Sequence, residues 1–288
     1  MHLPVDDSIK KLLKQNIASL EKKLDADVIF FYGPIMKGFA KLVDQLINDL
    51  TPCKKRLSFI LTTTGGDALE VERAVSVVRH YYEEVNFIVP DYAYSAGTIF
   101  CMSGDNIYMD YFGVLGPIDP QVLNKDGKYI PAQGYLEKVN EFIEKSKNGL
   151  LTDAEIILLS RLDLADLRLY EQVGKLTEDL LKTWLVKYKF KNWTKHRTNP
   201  NMKGSSVTLK EKEKAAENVA KLLRDNNRWK QHGRGINIDT LTKELRLEII
   251  DFGKDKDLSR LIRTYNSLIM DYASKNGYQH FVHTRRFF

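Results

Sequence analysis

Cysteine is nearly absent from this chain: two in 288 residues, Cys53 and Cys101, in unrelated contexts and with no CxxC pair. That excludes a disulfide framework and a zinc site built on paired cysteines, and reduced thiols of a cytoplasmic protein fit best. Long apolar runs are missing too. Nowhere do 18 consecutive apolar residues occur, and the opening stretch MHLPVDDSIKKLLKQNIASLEKKL has no uninterrupted apolar segment. Neither a transmembrane anchor nor a signal peptide is therefore expected. Internal repeats and low-complexity tracts are also lacking. The composition, 43% hydrophobic and 28% charged, is that of a globular chain long enough to bury about three quarters of its unfolded surface. A net charge of +6 permits weak attraction to nucleic acid or acidic lipid. An ordinary solvated basic surface accounts for it equally well, so no specific nucleic-acid partner is expected.

The first half has the grammar of a parallel sheet. Periodicity predicts strands at Asp27–Tyr32, Leu57–Leu61, Asn86–Pro90 and Asn106–Asp110, with helices at Lys37–Leu50, Asp67–Tyr82 and Ser95–Met102 between them. An Asp126-Gly127 pair between short apolar pieces predicts a hairpin. After Gly134 the pattern becomes almost wholly helical, at Tyr135–Lys147, Thr152–Leu162, Leu164–Gly174 and Thr177–Phe190, with Thr152 and Thr177 as N-caps. Residues 191–207 read as a polar loop, followed by helices at Leu209–Asn226 and Asp257–Tyr272. At the other end, residues 7–24 form an amphipathic helix with Ile9, Leu12, Leu13, Ile17 and Leu20 on one face. Packing on the body or on a neighbouring subunit is its expected role, although its lysines also permit weak peripheral membrane contact.

Chemistry concentrates between residues 59 and 99. The strand at Leu57–Leu61 runs into Thr64-Gly65-Gly66, and the next strand runs towards Tyr94-Ser95-Ala96-Gly97-Thr98. Open α/β sheets place ligand sites at such carboxyl ends. One turn offers backbone N–H groups free of side chains, and the other offers a hydroxyl. An oxyanion donor beside a nucleophile is the minimum equipment for acyl transfer.

With Leu115-Gly116-Pro117-Ile118-Asp119-Pro120-Gln121 added, these motifs resemble the ClpP/crotonase superfamily. More narrowly they are similar to signal-peptide-peptidase-type serine peptidases and to the serine dehydrogenase proteinases, with a clear resemblance over residues 25–150. The resemblance implies an α/β fold with a ClpP/crotonase-like repeated ββα core and a helical C-terminal extension. It also implies a cofactor-free, metal-free serine peptidase acting on extended or unfolded polypeptide, and a homo-oligomer of three or more subunits. Ser95 would be the nucleophile, with the N–H groups of Gly66 and Ala96 holding the oxyanion. An extended substrate would add as a strand beside the one that ends at Thr64.

The base is the least legible part. The place where ClpP carries its histidine falls near Asp119, and no histidine lies there. Signal-peptide-peptidase-type enzymes use a lysine, and Lys147, 52 positions after Ser95, has a similar spacing; Lys145 is the second choice. A lysine base must come down from about 10.4 to 7–8, roughly 4 kcal/mol, which requires an apolar pocket or neighbouring cations. His80 is expected on a surface facing away from the site. His232, in Trp229-Lys230-Gln231-His232-Gly233-Arg234-Gly235, resembles a recurrent element of the serine dehydrogenase proteinases. It suits either a structural turn or a segment that covers the site or contacts a substrate terminus. The expected division is an N-terminal helix (1–24), a catalytic core (25–134), a helical segment carrying the base and an assembly surface (135–190), and a helical extension (191–288). Two other classes remain open: a crotonase-type acyl-CoA enzyme, which needs the oxyanion hole but no serine, and a non-catalytic scaffold.

Overall fold

Alternation along the first strand decides the layering. Val28 and Phe30 enter one buried cluster while Ile29 and Phe31 enter another, the period of two that a sheet covered on both faces requires. The computed structural model describes residues 4–119, 121–123, 129–197 and 201–287. In chain order its elements are α1 (Pro4–Leu24), β1 (Asp27–Tyr32), α2 (Phe39–Leu50), β2 (Arg56–Thr62), α3 (Ala68–Tyr81), β3 (Glu84–Ile88), β4 (Tyr92–Ala93) and α4 (Ala96–Met102). Then come β5 (Asn106–Met109), β6 (Val114–Leu115), β7 (Gln121–Leu123), β8 (Tyr129–Pro131), α5 (Ala132–Lys147), α6 (Asp153–Leu159) and α7 (Leu164–Trp184). The chain finishes with α8 (Leu209–Arg224), α9 (Asn226–Trp229), β9 (Ile236–Asn237), α10 (Ile238–Lys243), β10 (Ile250–Asp251), α11 (Lys256–Lys275) and β11 (Phe281–His283).

Six strands form the main sheet in the order β10-β5-β3-β2-β1-β11, all parallel to their neighbours except β11. A second sheet, β4-β6-β9, stands beyond its carboxyl ends. Thr63 bridges Ala93 just past β2 and links the two sheets. The fold is the expected α/β class. β7 and β8 pair antiparallel, as the hairpin reading requires; its turn, Asn124–Lys128, lies outside the described residues.

Several expectations shift. α2 begins at Phe39 rather than Lys37 because Gly38 takes a left-handed φ of 97° and breaks the helical path. The predicted break between Gly174 and Thr177 does not occur. α7 runs unbroken from Leu164 to Trp184 and continues as a π-helical turn, Leu185–Lys189. Thr177, expected as an N-cap, is buried, and its hydroxyl donates to Val173 O at 3.0 Å, so the helix satisfies it from within. The N-terminal helix finds its partner in the same chain. Leu13, Ile17 and Leu20 are fully buried with Ile262, Tyr265 and Ile269 of α11. Of the two expected roles, packing on the body is the one found, and only Leu12 of the five apolar residues on that face is exposed. The segment after residue 191 supplies β9, β10 and β11 to the two sheets.

Candidate functional site

Two turns meet where the two sheets join. Thr63 N–H donates to Tyr92 O at 3.0 Å, and Tyr94 N–H donates back to Thr63 O at 2.9 Å. This locks the Gly-Gly turn after β2 against the turn between β4 and α4. Gly65 lies against the second turn, where an added Cβ would lie 2.7 Å from Ser95 Cβ and 2.6 Å from Tyr94 O. Its φ of +95° also demands glycine. At Gly66, φ +141°, an added Cβ would lie 2.0 Å from Ile35 O. Gly97 packs as tightly, its added Cβ meeting Thr63 Cγ2 at 2.3 Å. Each small residue in the two motifs is therefore needed for close approach.

Ser95 sits at the elbow with φ 51° and ψ −118°. A non-glycine residue held there carries about 1–3 kcal/mol of local strain, which the surrounding hydrogen bonds must over-determine. They do so from both sides: Gly97 N–H donates to Tyr94 O at 2.8 Å and Ile99 N–H donates to Ser95 O at 3.2 Å. Thr98 Oγ1 lies 2.8 Å from Ala93 O, 2.9 Å from Gly116 O and accepts Gly116 N–H at 3.0 Å. The Ser95 side chain itself caps nothing. Among the described residues, the N–H groups of Gly66 and Ala96 donate to no acceptor. Ile35 passes over Gly66 by pairing with its neighbours, its N–H to Gly65 O at 2.7 Å and its carbonyl to Asp67 N at 2.9 Å. The structure thus brings Ser95, Gly66 and Ala96 together, with the Gly66 nitrogen within about 7 Å of Ser95 Cβ by bond lengths alone.

It does not bring the lysines there in the single chain. Lys147, on the last turn of α5, is mostly exposed and pairs with Glu144 at 2.7 Å. Lys145 binds Glu155 at 2.6 Å and Glu141 at 3.2 Å. The Glu155 hydrogen bond, then that of Glu141, holds its ammonium above the ordinary lysine range, opposite to what a base requires. No motif or spacing pointed to Lys189, whose ammonium desolvation lowers to about 8. Its Nζ donates to Asp105 O at 3.4 Å, just before β5, at the end of the sheet opposite Ser95. There it joins Arg79 and Lys191, both paired with Asp105. His80 is exposed, as expected.

His232 is placed differently from a simple turn residue. Its Nδ1 lies 2.8 Å from Oδ1 of Asp119, a carboxylate with no solvent exposure, while the imidazole keeps about a quarter of its own. Among the described residues no group of three or more His, Cys, Asp or Glu is arranged to hold a metal ion. No helix among them is long and apolar enough to cross a membrane.

A strained serine at a strand–helix elbow, with two open backbone donors beside it, thus lies where the two sheets of this α/β fold meet. Residues 43–220, more than half of the chain, match the family of ClpP-like SDH-type serine proteinases, and the chain belongs to that family. Two proteins of Methanocaldococcus jannaschii, the uncharacterized proteins MJ1495 and MJ0137, are each 32% identical to it over 130 and 131 residues, 45% and 46% of this chain. The matched segment spans 41% of the length of each relative. Among solved structures, a serine mutant of the 1510-N membrane-bound stomatin-specific protease aligns with TM-score 0.45 at 12% identity, covering 81% of this chain and 82% of that one. A lysine mutant of the same protease in complex with a substrate peptide aligns with TM-score 0.44 at 12% identity, covering 78% and 75%.

Proposed function

We propose that the chain is a serine peptidase in which Ser95 attacks the scissile carbonyl and the N–H groups of Gly66 and Ala96 receive the oxyanion. The observation that carries this reading is the pair of uncommitted N–H groups flanking a strained serine whose hydroxyl caps nothing. A donor fixed in place before the reaction stabilises developing charge without reorganisation, and losing one such donor typically costs about 2.7–4 kcal/mol of barrier. A polypeptide is the substrate class that suits the surroundings. The Gly-Gly turn is open to solvent at Gly66, and an extended chain laid beside it would pair backbone to backbone.

The Ser-Lys form of the mechanism is the weaker part of the reading. Lys147 has solvent and Glu144 around it, so as a base it would need an apolar cover that is absent among the described residues. The test of the peptidase reading is labelling with a fluorophosphonate, which traps an activated serine hydroxyl. The expected result is a single adduct on Ser95, lost in Ser95→Ala together with hydrolysis of an unfolded protein substrate. Absence of the adduct, or its persistence in Ser95→Ala, would favour the acyl-CoA or scaffold alternatives.

A further inference from the structure

We propose that His232 is the general base for Ser95 and that Asp119 is its positioning residue; the inference rests on the peptidase reading of Ser95. The support is the register of the small sheet. β4 and β6 pair in parallel, Tyr92 with Val114 and Ala93 with Leu115. Extending that register by two residues sets Ser95 beside Pro117. β6 and β9 pair antiparallel, Val114 with Asn237 and Leu115 with Ile236. Extending that one sets Asp119 opposite His232, where their side chains do meet at 2.8 Å.

Ser95 follows β4, Asp119 follows β6 and His232 precedes β9, so all three leave the same end of one three-stranded sheet. Neighbouring strands lie about 4.8 Å apart, which keeps the outer two within about 10 Å. The loops are pinned along the way. Thr98, on the helix that Ser95 opens, holds Gly116 through both its N–H and its carbonyl. Ile118 N–H donates to Leu223 O at 3.0 Å, and Trp229 Nε1 donates to Leu222 O at 2.7 Å. The end of α8 thus anchors the strand carrying Asp119 and the loop carrying His232 alike. Gly235 lies so close to β6 that an added Cβ would meet Val114 side-chain atoms at 3.0–3.1 Å.

A carboxylate can only accept, so the imidazole carries its proton on Nδ1 towards Asp119 and leaves Nε2 as the acceptor. In the proposed reaction the Ser95 proton passes to Nε2 as the Oγ–carbon bond forms. On collapse of the tetrahedral intermediate the carbon–nitrogen bond breaks, and Nε2 returns that proton to the leaving amine. Water then attacks the acyl-enzyme, losing a proton to Nε2, which gives it back to Ser95 Oγ as the carboxylic acid leaves. The position near residue 119 thus supplies a buried carboxylate where ClpP carries its histidine. The histidine comes from 113 positions further along the chain, across the sheet.

The test is the rate at which a fluorophosphonate labels Ser95 in the full chain. General-base assistance is typically worth 10²–10⁴-fold, so His232→Gln should label at least about 100-fold more slowly. His232→Gly should be restored in part by free imidazole, a recovery that a merely structural histidine would not show. Asp119→Asn should depress labelling too. In ¹⁵N spectra the His232 resonances, identified by their absence in His232→Gln, should move from the Nδ1–H to the Nε2–H tautomer in Asp119→Asn. Labelling of His232→Gln within threefold of the parent, or its persistence there with abolition in Lys147→Ala, would overturn the base assignment and leave the peptidase reading intact. Failure of the parent chain to label on Ser95 would overturn the peptidase reading, and the base assignment with it.

Discussion

At the scale of single residues, the glycines matter as much as the serine. Gly65 has no room for a side chain, and its φ of +95° suits no other residue. Gly65→Ala should cost about 1–2 kcal/mol from backbone strain. It should also push the Ser95 elbow aside, because the new methyl would overlap Ser95 Cβ. Misplacement of a reacting group by an ångström can cost about 10²-fold. The expected outcome is a modest fall in melting temperature with labelling of Ser95 reduced about 100-fold; unchanged labelling would show that the two turns do not act together. The two turns that hold Ser95, Gly66 and Ala96 were legible because motif spacing encodes short-range turns. His232 was legible as a turn residue or as part of a segment covering the site, but its pairing with Asp119 was not. Its partner Asp119 is remote in sequence, and no periodicity records which loops a sheet brings together.

At the scale of elements, the strands and most helices of the first half could be read from periodicity, whereas partners distant in sequence could not. The face of α1 was visible in Leu13, Ile17 and Leu20, but that it docks on α11 was not. β11 was hidden for a related reason: two histidines and two arginines near Phe281 look like a polar tail. In the fold His283 is buried beside Tyr265, 2.8 Å from its hydroxyl, and Arg285 joins Glu21 at 2.7 Å and Asp27 at 2.5 Å. Desolvation, with a smaller effect of Lys14, lowers the His283 imidazole to about 4. Because the folded value lies below the unfolded one of about 6.5, the unfolded chain binds more protons between them. Stability should hold above pH 6.5 and fall by roughly 3 kcal/mol as the pH drops to 4, at about 1.4 kcal/mol per unit. Urea midpoints across that window should show the loss, and His283→Gln should flatten it. A parent chain equally stable at pH 4.5 and 7 would contradict the burial of a neutral imidazole.

At the scale of the whole molecule, the helical segment 135–190, expected to carry an assembly surface, keeps apolar side chains exposed. With α1 covered, exposed apolar side chains gather on the hairpin from α5 to α7: Leu150, Ile156, Ile157, Leu158, Leu164 and Leu169. α6 buries none of its residues. Large exposed apolar patches mark contact sites. If copies of the chain meet there, light scattering at micromolar concentration should report more than one 33.2 kDa chain per particle. Ile157→Glu with Leu158→Glu should then return the particle towards a single chain. A monomer in both cases would leave the helical hairpin without a role in assembly. Such a contact would also alter the surroundings of α5, the one route by which Lys147 could acquire an apolar cover.

The order in which the chain is written bears on when it could act. Everything proposed for bond cleavage except His232 lies before residue 120, so Ser95 leaves the ribosome well before the strands that finish both sheets. β9 begins at Ile236, β10 at Ile250 and β11 at Phe281, and until they are made the elbow has neither its full sheet nor its imidazole. A nascent or prematurely terminated product would hold a nucleophile it cannot activate. Latency during synthesis would then come from topology alone.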